Sequence, residues 1–176
     1  MTWIAPEVSR PAGIYAGDER TTLDNFLDWH RHSLLAKCAG LTAEQLKIAS
    51  VEPSNLTLLG LVRHMAYVER VWFRERFAGE DVPRLFETEE RGDIDFEDVA
   101  EADAEADFAL FHAELDAARA AVAGRSLDET FVLRRRDGSV NETSLRWVYI
   151  HMIEEYAQHL GHADLIRERI DGVTGN

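Results

Sequence analysis

The residues best suited to metal chemistry in this chain begin with Glu155 and His159, which lie four positions apart. Side chains at positions i and i+4 lie next to each other across one turn of an α-helix. At about 100° per residue, the apolar residues of the same segment fall on the same side, namely Val148, Met152, Ile166 and Ile170. Glu155 and His159 are therefore predicted to face the core. A buried carboxylate is costly unless it is paired or coordinated, so Glu155 needs a partner.

A third inward-facing polar residue, His64, lies on another predicted helix. The rest of its face is apolar or small and consists of Gly60, Leu61, Val68 and Val71. Two ligands on one helix and a third from a facing helix are how helical bundles build metal sites in their cores. Two neutral imidazoles and one carboxylate suit Zn, Ni, Fe(II) or Mn, and three protein ligands leave open positions for catalysis. We therefore predict a divalent-metal site at His64, Glu155 and His159.

The same three residues also have an interpretation without a metal. Glu155 can pair with a buried arginine or a protonated histidine, and the cluster is then a hydrogen-bonded core network. The inward direction of all three side chains together favours the metal site.

The remaining histidines divide by their position on the predicted helices. His162 lies near the edge of the inward arc and can coordinate, orient a ligand or move a proton; we predict the catalytic role. His151 lies at the same edge, and we interpret it as a packing or ligand-supporting residue. His30 holds an inward position on the first helix, where a hydrogen-bonded core histidine is commoner than a ligand. His32 and His112 are predicted to meet solvent.

Hydrophobic periodicity predicts four long helices that carry these residues. They run from Asp18 to Gly40, from Thr57 to Gly79, over about 102–123, and from Thr143 or Ser144 to Gly172. A capping box, Thr42 with Gln45, predicts a short helical turn after the first helix. Phe131–Leu133 and the Asp137-Gly138 dipeptide predict a short extended pair around a turn. The expected fold is an all-α four-helix bundle with a long connection between the second and third helices.

The expected organisation is a lead-in segment over residues 1–17, lying on the surface, and one domain over residues 18–176. The single cysteine, Cys38, excludes an intrachain disulfide, and we interpret it as a small core residue. The first twenty residues lack the basic start and continuous apolar core of a signal peptide, so we expect a cytoplasmic protein. No segment approaches the length of a membrane span.

The net charge of −14 bears on the expected partners. Such a surface repels phosphate backbones and anionic lipid headgroups, so we expect neither nucleic acid nor membrane as a partner. Much of the excess lies in the connection over residues 80–107, where thirteen acidic residues face only Arg84 and Arg91. The sequence leaves open whether this segment is a lid, a dimer contact or a mobile loop.

Two segments resemble the DinB-like superfamily of four-helix metalloproteins: HMIEEYAQHLGHADLIR, which ends at Arg167, and LLGLVRH, which ends at His64. The resemblance extends from about Asp18 to Gly172 in the order and length of the helices. Most members carry histidine at all three ligand positions, whereas this chain has Glu155, as in the branch similar to thiol-dependent maleylpyruvate isomerases. Where many members have glutamine, this chain has His162.

This resemblance implies that His64, Glu155 and His159 bind Zn or a similar ion and that the protein forms a homodimer. Related enzymes are S-transferases and isomerases that use mycothiol or bacillithiol. The implied function is a thiol-dependent S-transferase in which the metal activates a small thiol for attack on an electrophilic substrate. The proton would pass to His162, or else to His151 or His30.

Two questions stay open at this level. Arg134, Arg135 and Arg136 can hold a carboxylate of the thiol or substrate, or form a solvated basic turn. The metal site also suits a hydrolase that activates water, or a non-catalytic, metal-stabilised sensor or interaction module.

Overall fold

The computed structural model describes residues 2–86, 95–135 and 137–175. The protein is mostly helical, as expected, and contains one small antiparallel sheet. The α-helices are α1 (Glu19–Cys38), α2 (Ala43–Leu46), α3 (Leu58–Glu69), α4 (Ala104–Val122) and α5 (Leu145–Asp171). Helix α3 continues as π-helical turns over Arg70–Phe77, and a 3₁₀ turn covers Val99–Glu101. Strands β1 (Thr130–Arg134) and β2 (Val140–Ser144) form the short extended pair that was predicted.

The helices begin at the capping residues that the sequence provides. The side chains of Asp18, Thr57, Asp103 and Ser144 each accept a hydrogen bond from a backbone N–H in the first turn of the helix that follows. Such caps satisfy donors that have no partner inside the helix. Helix α5 ends at Gly172, whose φ of 78° is in the left-handed region that glycine tolerates. The predicted start of the last helix and its end at Gly172 are confirmed.

The four long helices share one hydrophobic core. Helix α1 packs along α5, and α3 packs against both α4 and α5. The largest side chains completely removed from solvent include Tyr156 of α5, Phe73 of the π-helical turns and Phe111 of α4. Among the described residues, none of the helices combines the length and hydropathy that a bilayer span requires.

A charged network crosses this core. Arg31 donates to both carboxylate oxygens of Glu69 at 2.8 and 2.7 Å, and the hydroxyl of Tyr156 donates to Glu69 Oε1 at 2.8 Å. The side chains of Arg31 and Glu69 are 5% and 0% exposed. Buried charges of this kind are tolerated only when each is paired and hydrogen-bonded. The network therefore specifies how α1, α3 and α5 meet.

The N-terminal segment lies closer to the core than expected. Ala5 is buried, its backbone N–H donates to Leu41 O at 2.9 Å, and the Trp3 ring meets Phe108 edge-on at 5.0 Å. The expectation that the whole segment lies on the surface is wrong for these residues, because their apolar side chains cover α4. The boundary between residues 17 and 18 stays a prediction.

Candidate metal centre

The three predicted ligands come together between α3 and α5. His64, Glu155 and His159 each offer one ligand atom, and these atoms lie within 4.8 Å of one another. Nε2 of His159 lies 3.7 Å from Oε2 of Glu155. Two atoms that share an ion with bonds of about 2.1 Å can lie up to roughly 4.2 Å apart, so this pair already has a suitable separation. The ring centroids of His64 and His159 are 4.7 Å apart.

His64 is oriented by an aspartate that the sequence gave no reason to select. Nδ1 of His64 lies 2.5 Å from Oδ2 of Asp95, whose side chain is 5% exposed. The ring of Phe96 stacks on His64 with centroids 5.0 Å apart. Because Nδ1 is engaged, Nε2 is the nitrogen left for a ligand. Histidine ligands of metals commonly donate their second N–H to a carboxylate in this way.

His159 is held in the neutral form that coordinates a metal. Burial, together with smaller contributions from the neighbouring His64 and His162, lowers the pKa of its imidazole to about 4. Nδ1 of His159 lies 3.4 Å from Nδ1 of His162. His162 lies next to Nδ1 of His159, and Glu155 lies next to Nε2. Nδ1 therefore faces a supporting residue, and Nε2 faces the place where an ion would bind.

Glu155 lies between two histidines. Its Oε1 is 3.4 Å from Nε2 of His151, and its Oε2 faces His159. The alternative in which Glu155 pairs with a buried arginine is not what the structure shows: among the described residues, the buried Arg31 pairs with Glu69 instead. The exposed Glu154 points away, as predicted.

These residues fit a divalent ion by the chemistry of their donors. Two neutral imidazole nitrogens and one carboxylate oxygen suit Zn and related first-row metals. The side chains of His64 and Glu155 are 19% and 27% exposed, so the cluster is open to small molecules on one side.

The acidic connection is anchored on α3 where it supplies Asp95. Arg63 donates from Nε to Asp95 O at 3.1 Å and pairs with Asp107 on α4 at 3.3 Å. A Cβ atom on Gly60 would lie 3.0 Å from Cδ1 of Phe96, so glycine allows the connection to approach the helix. One end of the acidic segment is thus part of the site; residues 87–94 lie outside the described residues.

A cleft of about 480 Å³ adjoins the cluster. Its lining includes Trp72, Arg76, Arg134, Arg135, Trp147 and His151. The ring of His151 stacks on Trp147 at 4.8 Å and meets Trp72 edge-on at 4.5 Å. The sequence interpretation of His151 as a packing and supporting residue agrees with these contacts. Arg136 lies outside the described residues.

The structure corrects the expected position of His30. Its Nδ1 lies 2.7 Å from Phe26 O of its own helix, and its half-buried ring lies beside the N-terminal segment rather than in the metal cluster. The buried position on α1 is taken by the next residue, Arg31. His112 is exposed as predicted, whereas His32 is half-buried with Nδ1 2.7 Å from Asp28 O.

Cys38 is a core residue, as predicted. It is fully buried, and burial raises the pKa of its thiol to about 12. A thiol with such a pKa carries almost no thiolate at neutral pH, which makes Cys38 a poor nucleophile.

Sequence reasoning missed three polar residues that matter here: Asp95, Glu69 and Arg31. Asp95 is one of thirteen acidic residues in its segment, and nothing in the pattern distinguishes it. The burial of Glu69 and Arg31 could have been predicted, because each lies three or four positions from buried apolar residues on its helix.

One comparison with known families gives a match over most of the chain. The family model described as mycothiol-S-transferase matches residues 22–172, well over half of the chain. The matched range contains all of α2 to α5 and nearly all of α1. No curated protein and no solved structure shows significant similarity to the chain. The resemblance drawn from the motifs is confirmed by the family match. The chain belongs to the mycothiol-S-transferase family.

Proposed function

We propose that this protein is a metal-dependent S-transferase that joins a low-molecular-weight thiol of the mycothiol type to an electrophilic substrate. The observation that carries the proposal is the convergence of His64, Glu155 and His159, two imidazoles and a carboxylate, in a chain of this family. We further propose that the helices form the four-helix bundle of the DinB-like superfamily.

The proposed ligands are Nε2 of His64, Nε2 of His159 and the carboxylate of Glu155. Zn is the first choice, and Ni, Fe(II) and Mn have compatible donor preferences. When bound, the ion supplies Lewis-acid chemistry that favours the thiolate form of a small thiol near neutral pH.

The other residues of the site hold the ligands in position. Asp95 accepts a hydrogen bond from Nδ1 of His64 and so directs Nε2 towards the cluster. Nδ1 of His162 lies 3.4 Å from Nδ1 of His159 and supports that ring at the nitrogen that is not a proposed ligand. Preorganised donors of this kind reduce the rearrangement that binding requires.

The transfer itself needs a proton acceptor. The thiol loses its S–H proton, the sulfur lone pair forms the bond to carbon, and the leaving group departs with the electrons of its own bond. His162 is the acceptor predicted from sequence, and it lies beside the cluster, with its Nδ1 3.4 Å from Nδ1 of His159. His151 is a second acceptor, because its Nε2 lies 3.4 Å from Glu155 and its ring lines the adjacent cleft.

The first test is metal content by elemental mass spectrometry on the wild type, Glu155→Ala and His159→Ala. We expect near-stoichiometric metal in the wild type and its loss in both variants. Glu154→Ala is the matched control, since Glu154 is a neighbouring glutamate that is 76% exposed and lies 3.7 Å from His151 without being one of the three clustered residues. If the wild type holds no metal after reloading, the cluster is a hydrogen-bonded core network and the proposal is wrong.

Activity is then measured as the consumption of a mycothiol-type thiol in the presence of a chromogenic alkylating electrophile. We expect conjugation that depends on both the thiol and the metal. Turnover of an ester substrate without thiol would instead support a hydrolase.

We also propose a cytoplasmic homodimer, in line with what the family resemblance implied. Light scattering coupled to size exclusion measures the assembly directly. A mass of 20.0 kDa would identify a monomer and contradict the dimer.

A further inference from the structure

The cleft beside His151 has the size and position of a substrate site. It opens between α3 with its π-helical turns, strand β1 and the first turns of α5. Its volume of about 480 Å³ is within the range of small-molecule sites. His151 lines the cleft and contacts Glu155 at 3.4 Å, so a molecule in the cleft lies next to the metal cluster.

The walls of the cleft offer flat aromatic surfaces. The rings of Trp72 and Trp147 have centroids 5.3 Å apart, and His151 stacks on Trp147. Trp147 is 39% exposed, which leaves indole surface open to a ligand. Trp72 lies in the π-helical turns, a helix form found mostly at functional sites. Such walls favour a planar, conjugated molecule, because ring faces stack on extended π-systems.

The charge of the cleft is opposite to that of the protein. Arg76, Arg134 and Arg135 line it, and none of the described residues that line it is acidic, in a chain with a net charge of −14. The guanidinium of Arg76 lies 4.1 Å from the ring centre of Trp72. The side chains of Arg134 and Arg135 are exposed, and Arg135 interacts electrostatically with Asp137, which does not line the cleft. Arginine binds carboxylates through two parallel hydrogen bonds.

We propose that this cleft binds the electrophilic substrate and that the substrate is an organic carboxylate with a flat, unsaturated body. The proposal rests on the proposed function, in which the thiol lies on the side of Glu155 that faces the metal. The carboxylate pairs with Arg134 and Arg135, and the planar body lies against Trp72 and Trp147. The end of the molecule opposite its carboxylate then lies near His151.

The test is a titration with trans-cinnamate, an unreactive probe with a carboxylate on a planar conjugated body. The readout is the indole N–H signal of each of the four tryptophans in the ¹H–¹⁵N NMR spectrum of the protein as purified. We expect the signals of Trp72 and Trp147 to shift and saturate. Trp3 and Trp29 lie outside the cleft and are internal controls that stay in place.

Two comparisons test the carboxylate contact. Arg134→Ala and Arg135→Ala should each weaken cinnamate binding by at least about fivefold, as expected for a charge-assisted hydrogen bond. Arg169→Ala removes the same charge from an exposed site beside Ser50 and should leave binding unchanged. Cinnamamide, which lacks the negative charge, should bind at least about fivefold more weakly than cinnamate. Equal binding of the amide, or shifts spread over all four tryptophans, would overturn the proposal.

The failure of this proposal is distinguishable from that of the proposed function. Cinnamate binding in a protein that holds no metal would support the cleft and remove the S-transferase. Metal binding and thiol conjugation without any shift of the Trp72 or Trp147 signals would support the S-transferase and overturn the proposal for the cleft. Glu155→Ala adds a check: cinnamate should still bind, because its carboxylate partners are arginines and not the ion.

Discussion

Oδ2 of Asp95 lies 2.5 Å from Nδ1 of His64, although the two residues are 31 positions apart in the chain. This contact connects the acidic segment to the metal cluster. It makes Asp95 a supporting residue of the site: the carboxylate holds the His64 ring in one orientation and leaves Nε2 for an ion.

Asp95→Asn should therefore weaken metal binding by about 10–100-fold, the range seen when such supporting partners are changed. The fold should be retained, because asparagine has nearly the same shape. Competition with a chromophoric chelator measures the affinity. Asp81→Asn removes the same charge from an exposed position at the start of the segment and should change nothing. Equal affinities in the two variants would remove the role assigned to Asp95.

Gly60 and Gly161 form a matched pair for helix stability. A Cβ on Gly60 would meet Phe96 Cδ1 and Thr57 Oγ1 at 3.0 Å, whereas a Cβ on Gly161 meets nothing within 4 Å. Gly161→Ala should raise the free energy of unfolding by about 0.5–1 kcal/mol through helix propensity. Gly60→Ala should lose this gain and weaken metal binding, because Phe96 and with it Asp95 must shift. Urea denaturation and chelator competition measure the two effects; a stabilised Gly60→Ala with unchanged affinity would contradict this account.

The buried pair of Arg31 and Glu69 predicts a large cost for removing one partner. Glu69→Leu leaves the Arg31 charge buried without its carboxylate and should lower the free energy of unfolding by about 3–5 kcal/mol. Tyr156→Phe removes one hydrogen bond to the same carboxylate and should cost about 1 kcal/mol. Glu19→Gln, in an exposed pair with Arg146, should cost far less than Glu69→Leu, because solvent screens the pair. Urea denaturation gives all three values, and a Glu69→Leu cost no larger than that of Glu19→Gln would sink the interpretation.

The low pKa of His159 predicts how stability changes with pH in the metal-free protein. The folded state holds this imidazole neutral down to a pKa of about 4, whereas in the unfolded chain it binds a proton near its ordinary pKa of 6.5. Between these values the unfolded state carries more protons, so stability falls as pH decreases from 6.5 to 4. Over this pH range, the shifted pKa of His159 lowers the free energy of unfolding by up to about 3 kcal/mol.

This pH dependence is measured by urea denaturation of chelator-treated protein between pH 4 and 7. His159→Gln cannot take up the proton and should show a flatter profile over that window. Identical slopes for the wild type and His159→Gln would show that other groups cause the dependence.

The two candidate proton acceptors predict different patterns. His162→Gln should slow turnover and lower metal affinity together, because the loss of the His162 contact disturbs the His159 ring. His151→Gln should slow turnover and keep metal affinity, because His151 contacts Glu155 from the cleft. Metal affinity and thiol conjugation, measured on the same samples, separate the two roles. Full activity in both variants would exclude both residues as acceptors.

Local features of the molecule could be predicted from the sequence. The helix ends at Asp18, Ser144 and Gly172 follow from capping and from the freedom of glycine, which act within one turn of the chain. The pairing of Glu155 with His159 follows from helical spacing alone. The inward direction of His64 followed from the apolar residues around it on the same helix.

Other features depend on which elements become neighbours, and only the tertiary structure decides them. Asp95 could not be predicted as a residue of the site from the sequence. Its role depends on where the connection contacts α3, and its sequence context does not reveal this. Periodicity placed His30 inward, but the buried position belongs to Arg31, because the carboxylate of Glu69 on another helix neutralises its charge there. The cleft lined by Arg134 and Arg135 exists because β1 packs against the π-helical turns and β2 packs against α5, a long-range packing that no local pattern specifies.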